Sequence, residues 1–199
     1  MYGINNRYFK ESSYPLYPEN NYGLSKSLVD YYVLNIIGKH KKAKIVGLRY
    51  FNVYGPNEKH KKRMASVIFN FRKQLVIDKK INLFKGSDGF LNGEQKRDFV
   101  NVKDCVNVNL WFWKKNINGI FNVGTGKAIS FNKIAKEIQK NLNYQDIKIN
   151  YINIPKDILR NYQSFTKANI SKLRKVGYKK KFISYKEGVK NYMKILSSS

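Results

Sequence analysis

The run KIVGLRYFN, at residues 44–52, leads directly into VYGP at residues 53–56. Such a dense apolar run is typical of a strand buried on both faces of a parallel sheet. Gly55 and Pro56 end the run, and Asn52 puts a polar group at its C-terminal end. Open α/β sheets bind ligands at that end of their strands. The run therefore predicts a ligand site here, with a plain strand and turn as the alternative.

Helical and extended patterns alternate on both sides of this strand. Apolar residues at helical spacing predict a helix over residues 22–37 that ends at Gly38. Ser130 and Ser184 are candidate N-caps of two later helices. Further helices are predicted around residues 64–75, 103–115, 130–142, 166–175 and 184–196, and strands over residues 81–85, 98–102, 119–123 and 148–154. This alternation assigns the chain to the α/β class.

The composition excludes several classes of protein. The chain has 199 residues, 42% of them hydrophobic, which is enough to bury a core. It has no apolar run long enough to span a bilayer, and its first residues lack the apolar segment of a secretory signal. A single cysteine, Cys105, and two histidines exclude a disulfide within the chain and a multi-cysteine or histidine-rich metal site. We therefore expect a cytoplasmic protein that binds no membrane and no metal.

The formal net charge of +26 has two interpretations. A basic surface attracts phosphate, so the first is a nucleic-acid-binding protein. The second is compositional drift, because lysine accounts for 32 of the 39 basic residues and the AT-rich codons of Lys, Asn and Ile are heavily used. The lysines are scattered along the chain, apart from short runs such as residues 179–181. We favour drift, expect no specific nucleic acid, and keep nucleic-acid binding as the distant alternative.

Tyr22 and Lys26 stand four residues apart in the stretch YGLSK at residues 22–26. That spacing puts both side chains on one face of a helix. An ammonium beside a phenol favours the phenolate, which suits a tyrosine for general acid and base catalysis. The lysine is also able to donate to the ribose of a cofactor. The alternative is an amphipathic helix whose first turn happens to expose Tyr22.

Two later motifs bear on phosphate binding. GIFNVGTGK, at residues 119–127, lacks the first glycine and the final Ser or Thr of a Walker loop, so we reject a nucleotidase. No segment carries a complete dinucleotide glycine fingerprint. Arg97, at the mouth of a strand, suits a phosphate or diphosphate because a guanidinium is a planar bidentate donor. A surface ion pair between Arg97 and Asp98 is the alternative.

The order and spacing of these motifs resemble the extended short-chain dehydrogenase/reductase superfamily of nucleotide-sugar epimerases and dehydratases. Within it, the chain is similar to the family of ADP-glycero-manno-heptose 6-epimerases. The resemblance extends over nearly the whole chain. The segments that carry it are YGLSK (22–26), RYFNVYGPNEKHKKRMASV (49–67), LFKGSDGFLNGEQKRDFVNVKD (83–104), GIFNVGTGKAISF (119–131) and NYQSFT (161–166).

The resemblance implies the C-terminal part of a Rossmann-type doubly wound sheet plus a smaller α/β substrate domain. Residues 1–56 would be the remnant of the dinucleotide-binding domain, with the YxxxK helix. Residues 57–199 would be mainly the substrate-binding domain, with residues 98–128 returning to the Rossmann part. The family's glycine-rich loop for the NADP pyrophosphate is absent from the sequence. The resemblance therefore implies a truncated or split epimerase, with a separate N-terminal half as a candidate partner, and we expect no turnover from this chain alone.

Matched position by position, the resemblance assigns Tyr22 and Lys61 as the two catalytic acid/base groups. Lys26 would bind the nicotinamide ribose of NADP, and Val53 and Lys61 would lie against the cofactor. Asn52 would contact the substrate. The other implied substrate-binding residues are Phe84, Lys85, Gly86 and Ser87 for the ADP part, Arg97 and Tyr162 for the diphosphate and sugar, and Arg63 and Asn70 within the pocket.

Arg63 and Asn70 depart from the family pattern. Arg63 stands where a small serine is common, and Asn70 stands where a histidine is common. An arginine beside the sugar would crowd or recharge the pocket.

The reaction that the resemblance implies is a redox-neutral inversion at C6 of ADP-heptose. Hydride leaves C6 for NADP and returns to the opposite face, while the two acid/base groups handle the hydroxyl proton. Such enzymes supply ADP-heptose for the inner core of lipopolysaccharide and assemble as homo-oligomers. The alternatives are a fragment of another nucleotide-sugar epimerase or dehydratase, and an inactive remnant that only binds sugar nucleotides.

Overall fold

The computed structural model describes residues 9–12, 16–18, 20–37, 39–40, 43–159 and 162–198, so the predicted helix end at Gly38 lies outside the described residues. The helices are α1 (Asn21–Ile36), a 3-10 helix (Lys59–Met64), α2 (Val67–Asp78), α3 (Val102–Trp113), α4 (Phe131–Leu142), α5 (Lys156–Leu159), α6 (Ser171–Lys175) and α7 (Tyr185–Ser197). The strands are β1 (Val46–Tyr50), β2 (Asn52–Tyr54), β3 (Ile81–Phe84), β4 (Lys96–Arg97), β5 (Phe99–Asn101), β6 (Gly119–Val123), β7 (Ile129–Ser130) and β8 (Ile149–Ile152).

Three of the four strand pairs within these residues are parallel. β1 pairs with β6, β2 with β5 and β3 with β8, whereas the short β4 and β7 are antiparallel. Parallel neighbours require crossover connections, and helices supply them here. The predicted α/β class is confirmed.

The apolar run at residues 44–52 forms two short strands rather than one. β1 pairs with β6 up to Tyr50, and from Asn52 onward the chain pairs with β5 instead. Phe51, between the two strands, donates its N–H to the carbonyl of Val123 at 3.0 Å. The prediction of a strand buried on both faces is wrong for β1, which is mostly half-buried. Among the described strands β6 is its one neighbour, so an edge of β1 stays open.

The predicted helix over residues 166–175 is shorter than expected. Only Ser171–Lys175 is helical. The residues before it bond to distant parts of the chain: the Thr166 N–H donates to the carbonyl of Lys96 at 3.0 Å, the Ala168 N–H to the Asp98 carboxylate at 3.0 Å, and the Asn169 N–H to the carbonyl of Phe9 at 3.3 Å. These long-range hydrogen bonds override the local helical pattern.

Both predicted N-caps are confirmed. The Ser130 hydroxyl accepts the N–H of Lys133 at 3.3 Å at the start of α4. The Ser184 hydroxyl accepts the N–H of Glu187 at 3.2 Å at the start of α7. Each bond satisfies one of the free donors of a helical first turn.

The buried apolar side chains form two main cores. The first core packs α2, α4 and α7 against β3, with Ile68, Leu75, Ile81, Ile134, Val189 and Tyr192 as members. The second core packs α3 and α6 against β6, with Val108, Phe112, Phe121, Leu173 and Tyr178 as members. β2 contributes Tyr54 to the first core and Val53 to the second, so it lies where the two cores meet. The domain boundaries given above stay a prediction.

The described residues include no helix with the length and apolar character needed to cross a membrane. In the same part of the chain, no three His, Cys, Asp or Glu side chains come together as a candidate metal site. Cys105 is buried at the second core, where burial raises the pKa of its thiol to about 12. Because the thiolate is the reactive form, this cysteine is not suited to be a nucleophile at neutral pH.

Candidate functional site

Two clefts open beside β2, and Asn52 lines both of them. The larger cleft has a volume of about 810 Å³, and its lining includes Val53, Arg63, Asn70, Phe84, Arg97 and Tyr162. The smaller cleft has a volume of about 620 Å³, and its lining includes Tyr22, Lys26, Asp30, Arg49 and Thr166. Most of the predicted site residues therefore lie in two adjacent clefts that share one side chain.

Tyr22 and Lys26 reach the smaller cleft from the first turns of α1. Asn20 is the N-cap of this helix, and its side-chain oxygen accepts the N–H of Gly23 at 2.8 Å. The Lys26 ammonium lies 5.1 Å from the centre of the Tyr22 ring. Tyr22 is 74% exposed, so its hydroxyl is open to a ligand. The predicted pairing of phenol and ammonium on one helix face is present.

A buried ion pair joins helix α1 to strand β1. The Arg49 guanidinium on β1 donates to the Asp30 carboxylate on α1 at 2.7 Å, and both side chains are almost fully buried. Burial raises the pKa of Asp30, and the neighbouring Arg49 opposes that rise. The pair fixes α1, and hence Tyr22, against the sheet. Sequence reasoning missed this pair, although a charged residue within an apolar strand was a signal that Arg49 has a buried partner.

Arg97 is a partly buried cation in the larger cleft. Its guanidinium lies 5.8 Å from the ring centre of Phe131 and 5.4 Å from that of Tyr162. Phe84 packs edge-on against Tyr162 at 5.4 Å. Burial lowers the pKa of Arg97 to about 10, and Tyr162 opposes that shift, so the group stays charged at neutral pH. No carboxylate in the described residues pairs with it, and a desolvated cation without a counter-ion suits an anionic ligand.

Asp98 does not form the surface ion pair that was the alternative for Arg97. It is fully buried and accepts hydrogen bonds from the Thr125 N–H and hydroxyl at 2.8 and 2.6 Å. It also accepts the N–H groups of Gly126 at 2.9 Å and Ala168 at 3.0 Å. The amides of the glycine-containing loop are thus engaged by a carboxylate, which agrees with the rejection of a phosphate loop there.

Asn52 is held in a defined orientation at the wall between the clefts. Its side-chain N–H₂ donates to the carbonyl of Asp98 and to the hydroxyl of Thr166, both at 3.1 Å. No donor in the described part of the chain reaches its side-chain oxygen. That oxygen is therefore available to a ligand hydroxyl.

Arg63 and Asn70 both line the larger cleft. Asn70 donates its side-chain N–H₂ to the carbonyl of Ala65 at 2.9 Å, so it ties α2 to the segment that carries Arg63. Arg63 is exposed, which puts it at the rim rather than in the depth of the cleft. Lys61 lies on the same 3-10 helix, also exposed, but it lines neither cleft. The structure therefore does not bring Lys61 together with Tyr22.

The segment predicted to hold the ADP part is divided. Phe84 lines the larger of the two clefts beside β2, whereas Lys85, Gly86 and Ser87 line a separate, shallow surface depression with Asn132. The Ser87 hydroxyl is within hydrogen-bond distance of the Ser164 hydroxyl, at 2.7 Å.

The chain belongs to the NAD dependent epimerase/dehydratase family, whose model matches residues 1–124. A curated relative, ADP-L-glycero-D-manno-heptose-6-epimerase of Thiobacillus denitrificans, is 43% identical over 213 residues, which cover 100% of this chain and 64% of that protein. The chain thus spans less than two thirds of that relative's length.

Solved structures agree with this membership. ADP-L-glycero-D-manno-heptose-6-epimerase of Helicobacter pylori has a TM-score of 0.82 at 31% identity, and the match covers 100% of this chain and 57% of that chain. UDP-N-acetylglucosamine 4-epimerase of Methanobrevibacter ruminantium, in complex with UDP-N-acetylmuramic acid, has a TM-score of 0.82 at 26% identity, covering 100% of this chain and 60% of that one. The fold is therefore that of Rossmann-type epimerases and dehydratases.

Proposed function

We propose that the chain carries the substrate-binding and proton-transfer part of an ADP-glycero-manno-heptose 6-epimerase, which inverts C6 of the heptose without net oxidation. The observation that carries this proposal is Asn52, which joins the cleft of Tyr22 and Lys26 to the cleft of Arg97. A diphosphate held at Arg97 would leave the sugar near the wall between the clefts, within reach of Asn52. The relatives from Thiobacillus and Helicobacter named above support the choice of ADP-heptose as substrate.

The smaller cleft fits the nicotinamide-ribose end of a dinucleotide. The Lys26 ammonium has no carboxylate partner in the described residues, so it is free to donate to ribose hydroxyls. Val53 lines the larger cleft, next to Asn52, so its predicted contact with the nicotinamide ring would be made at the wall between the two clefts. When bound, the nicotinamide supplies the hydride acceptor and donor that a redox-neutral inversion needs. We propose NADP as this cofactor.

Tyr22 and Lys61 would handle the proton of the C6 hydroxyl. Tyr22 is the candidate to take that proton, because its hydroxyl is open in the smaller cleft and an ammonium lies beside its ring. Lys61 is the candidate second group, acting on the opposite face of C6. Its place on the exposed 3-10 helix requires this helix to approach the larger cleft when substrate binds.

The larger cleft would hold the sugar nucleotide. Arg97 and Tyr162 would bind the diphosphate and sugar, Phe84 the ADP part, and Arg63 and Asn70 the rim of the sugar site. Lys85, Gly86 and Ser87 would extend the ADP contacts. We also propose a cytoplasmic location, a homo-oligomer for the intact enzyme, and a role in supplying ADP-heptose for lipopolysaccharide.

Isothermal titration with ADP-D-glycero-D-manno-heptose tests this proposal, and Arg97→Lys is the informative variant. A lysine lacks the planar fork, so we expect the affinity to fall about tenfold or more. Arg174→Lys is the matched control, because Arg174 also stacks on two rings, those of Tyr178 and Phe182, and lines neither cleft. Equal losses in the two variants, or no binding by the unmodified chain, would contradict the proposal. Tighter binding of UDP-glucose would instead indicate another nucleotide-sugar enzyme.

A further inference from the structure

Glu58 is a buried carboxylate at the entrance to the 3-10 helix, and it is 5% exposed. It accepts the N–H of Ser66 at 2.6 Å and the hydroxyl of Ser66 at 2.7 Å. It also accepts the hydroxyl of Tyr192, from α7, at 2.9 Å. The carboxylate thus fastens residue 58 to residue 66 and both of them to the C-terminal helix.

The segment between these two points, the 58–66 loop, has few other restraints. All six residues of its 3-10 helix are exposed, so packing contributes little to its position. Lys62 has a φ of 50°, an unfavourable conformation for a residue with a side chain. Apart from the bonds of Glu58, a side-chain hydrogen bond from Asn70 to the carbonyl of Ala65 also connects this loop to the rest of the described structure. The loop is therefore defined chiefly by how its ends are fastened.

The 58–66 loop also forms part of the larger cleft. Arg63, Ala65 and Ser66 all line it. The same loop carries Lys61, so any change in how its ends are held moves both basic side chains relative to Arg97. An exposed arginine on a weakly packed loop contributes to binding only when its backbone is held in place, because otherwise ordering it costs conformational entropy.

We propose that Glu58 is a positioning residue, which sets the 58–66 loop so that Arg63 reaches a sugar nucleotide in the larger cleft and which links that loop to α7 through Tyr192. This inference rests on the proposed function of the cleft. All three groups donate to Glu58, but the hydroxyls of Ser66 and Tyr192 are also acceptors, so a glutamine is able to keep these contacts. A methionine has a similar length and no strong acceptor, so Glu58→Met removes all three bonds.

The test is a double-mutant cycle on the affinity for ADP-D-glycero-D-manno-heptose, measured by isothermal titration. We expect Glu58→Met and Arg63→Ser each to weaken binding about tenfold, the effect of losing one charged contact. If Glu58 acts through Arg63, the double variant is no weaker than either single one. Glu137→Met is the matched control, since Glu137 accepts a bond from Asn141 on its own helix and lines neither cleft.

The outcomes separate this inference from the proposed function. No binding by the unmodified chain overturns both. Normal binding by a folded Glu58→Met variant, or additive losses in the double variant, overturns the role of Glu58 alone, because a purely stabilising residue would not be coupled to Arg63. If Glu58→Met fails to fold, Tyr192→Phe removes one of the three bonds and takes its place, with a smaller loss of affinity expected. Hydrogen exchange over residues 59–66 gives a ligand-independent readout, and unchanged exchange in either variant also overturns the inference.

Discussion

Asp98 is a buried carboxylate whose two oxygens accept four hydrogen bonds, from Thr125, Gly126 and Ala168. These bonds join the residue between β4 and β5 to the loop after β6 and to residues before α6, next to Asn52. Asparagine has the same shape, but its N–H₂ would face donors and leave some of them without an acceptor. We expect Asp98→Asn to lower the free energy of unfolding by about 3 kcal/mol.

Urea denaturation checks this value. Asp146→Asn is the control, because Asp146 is exposed and we expect its replacement to change stability by less than about 0.5 kcal/mol. A loss at Asp98 no larger than that of the control would show that the four bonds contribute little net stability.

At the scale of single residues, the sequence pointed to some cleft-lining side chains and missed other features of the clefts. Tyr22, Lys26 and Arg97 line the clefts, and their chemistry is visible within a few neighbouring positions, whereas their roles stay a prediction. Glu58 was not predicted, because its partner Tyr192 lies 134 positions away. From the sequence alone, a glutamate is expected to be exposed because it is charged. Only the tertiary fold shows that Glu58 is buried and accepts three hydrogen bonds.

Helix α7 packs on β2 through Gly188. A Cβ atom at this position would overlap the Tyr54 hydroxyl and lie 2.9 Å from the ring carbon that bears it. Tyr54 is 1% exposed and has little room to move. Helix propensity alone would make Gly188→Ala stabilising by about 1 kcal/mol. We expect instead a loss of about 2 kcal/mol in unfolding free energy, because overpacking dominates.

Tyr54→Phe tests the cause of that loss. The Tyr54 hydroxyl is buried and has no hydrogen-bond partner in the described residues, so its removal alone is expected to be close to neutral. In the double variant the overlap with the hydroxyl is removed while the 2.9 Å approach to the ring carbon remains, so only part of the lost stability should return. Lys190→Ala, at an exposed position of the same helix, is the control for propensity. A stable Gly188→Ala variant would mean that α7 shifts freely on β2.

The elements themselves were largely predictable where local pattern and tertiary structure agree. β6 occupies the predicted residues 119–123, and α4 begins after its predicted cap Ser130. The prediction fails at residues 166–170, where the N–H groups of Ala168 and Asn169 donate to Asp98 and Phe9 instead of forming a helix. It also fails to divide the run at residues 44–52, because the change of partner at Phe51 depends on where β5 and β6 lie. Both errors arise from hydrogen bonds between residues far apart in the sequence, which a helical or apolar period does not record.

The whole molecule carries far more basic than acidic groups, 39 against 13. Within the described residues there is one ion pair, between Asp30 and Arg49, and it is buried. The lysines on the surface therefore have few carboxylates to attract them and many like charges nearby. Such an excess destabilises the compact state through self-repulsion, whatever the origin of the composition.

Added salt should therefore stabilise this protein. Raising NaCl from about 10 mM to about 150 mM shortens the screening length from about 30 Å to about 8 Å. Screening weakens repulsion between exposed lysines but hardly affects the buried pair of Asp30 and Arg49. We expect the Tm to rise by about 3 °C, which corresponds to about 1 kcal/mol for a chain of this size.

Calorimetry of the unmodified chain and of a Lys179→Gln, Lys181→Gln double variant checks this prediction. The lower charge of the variant should reduce the increase of Tm with salt concentration. A Tm that is flat or falls with salt would mean that unrecognised attractions balance the net charge of +26.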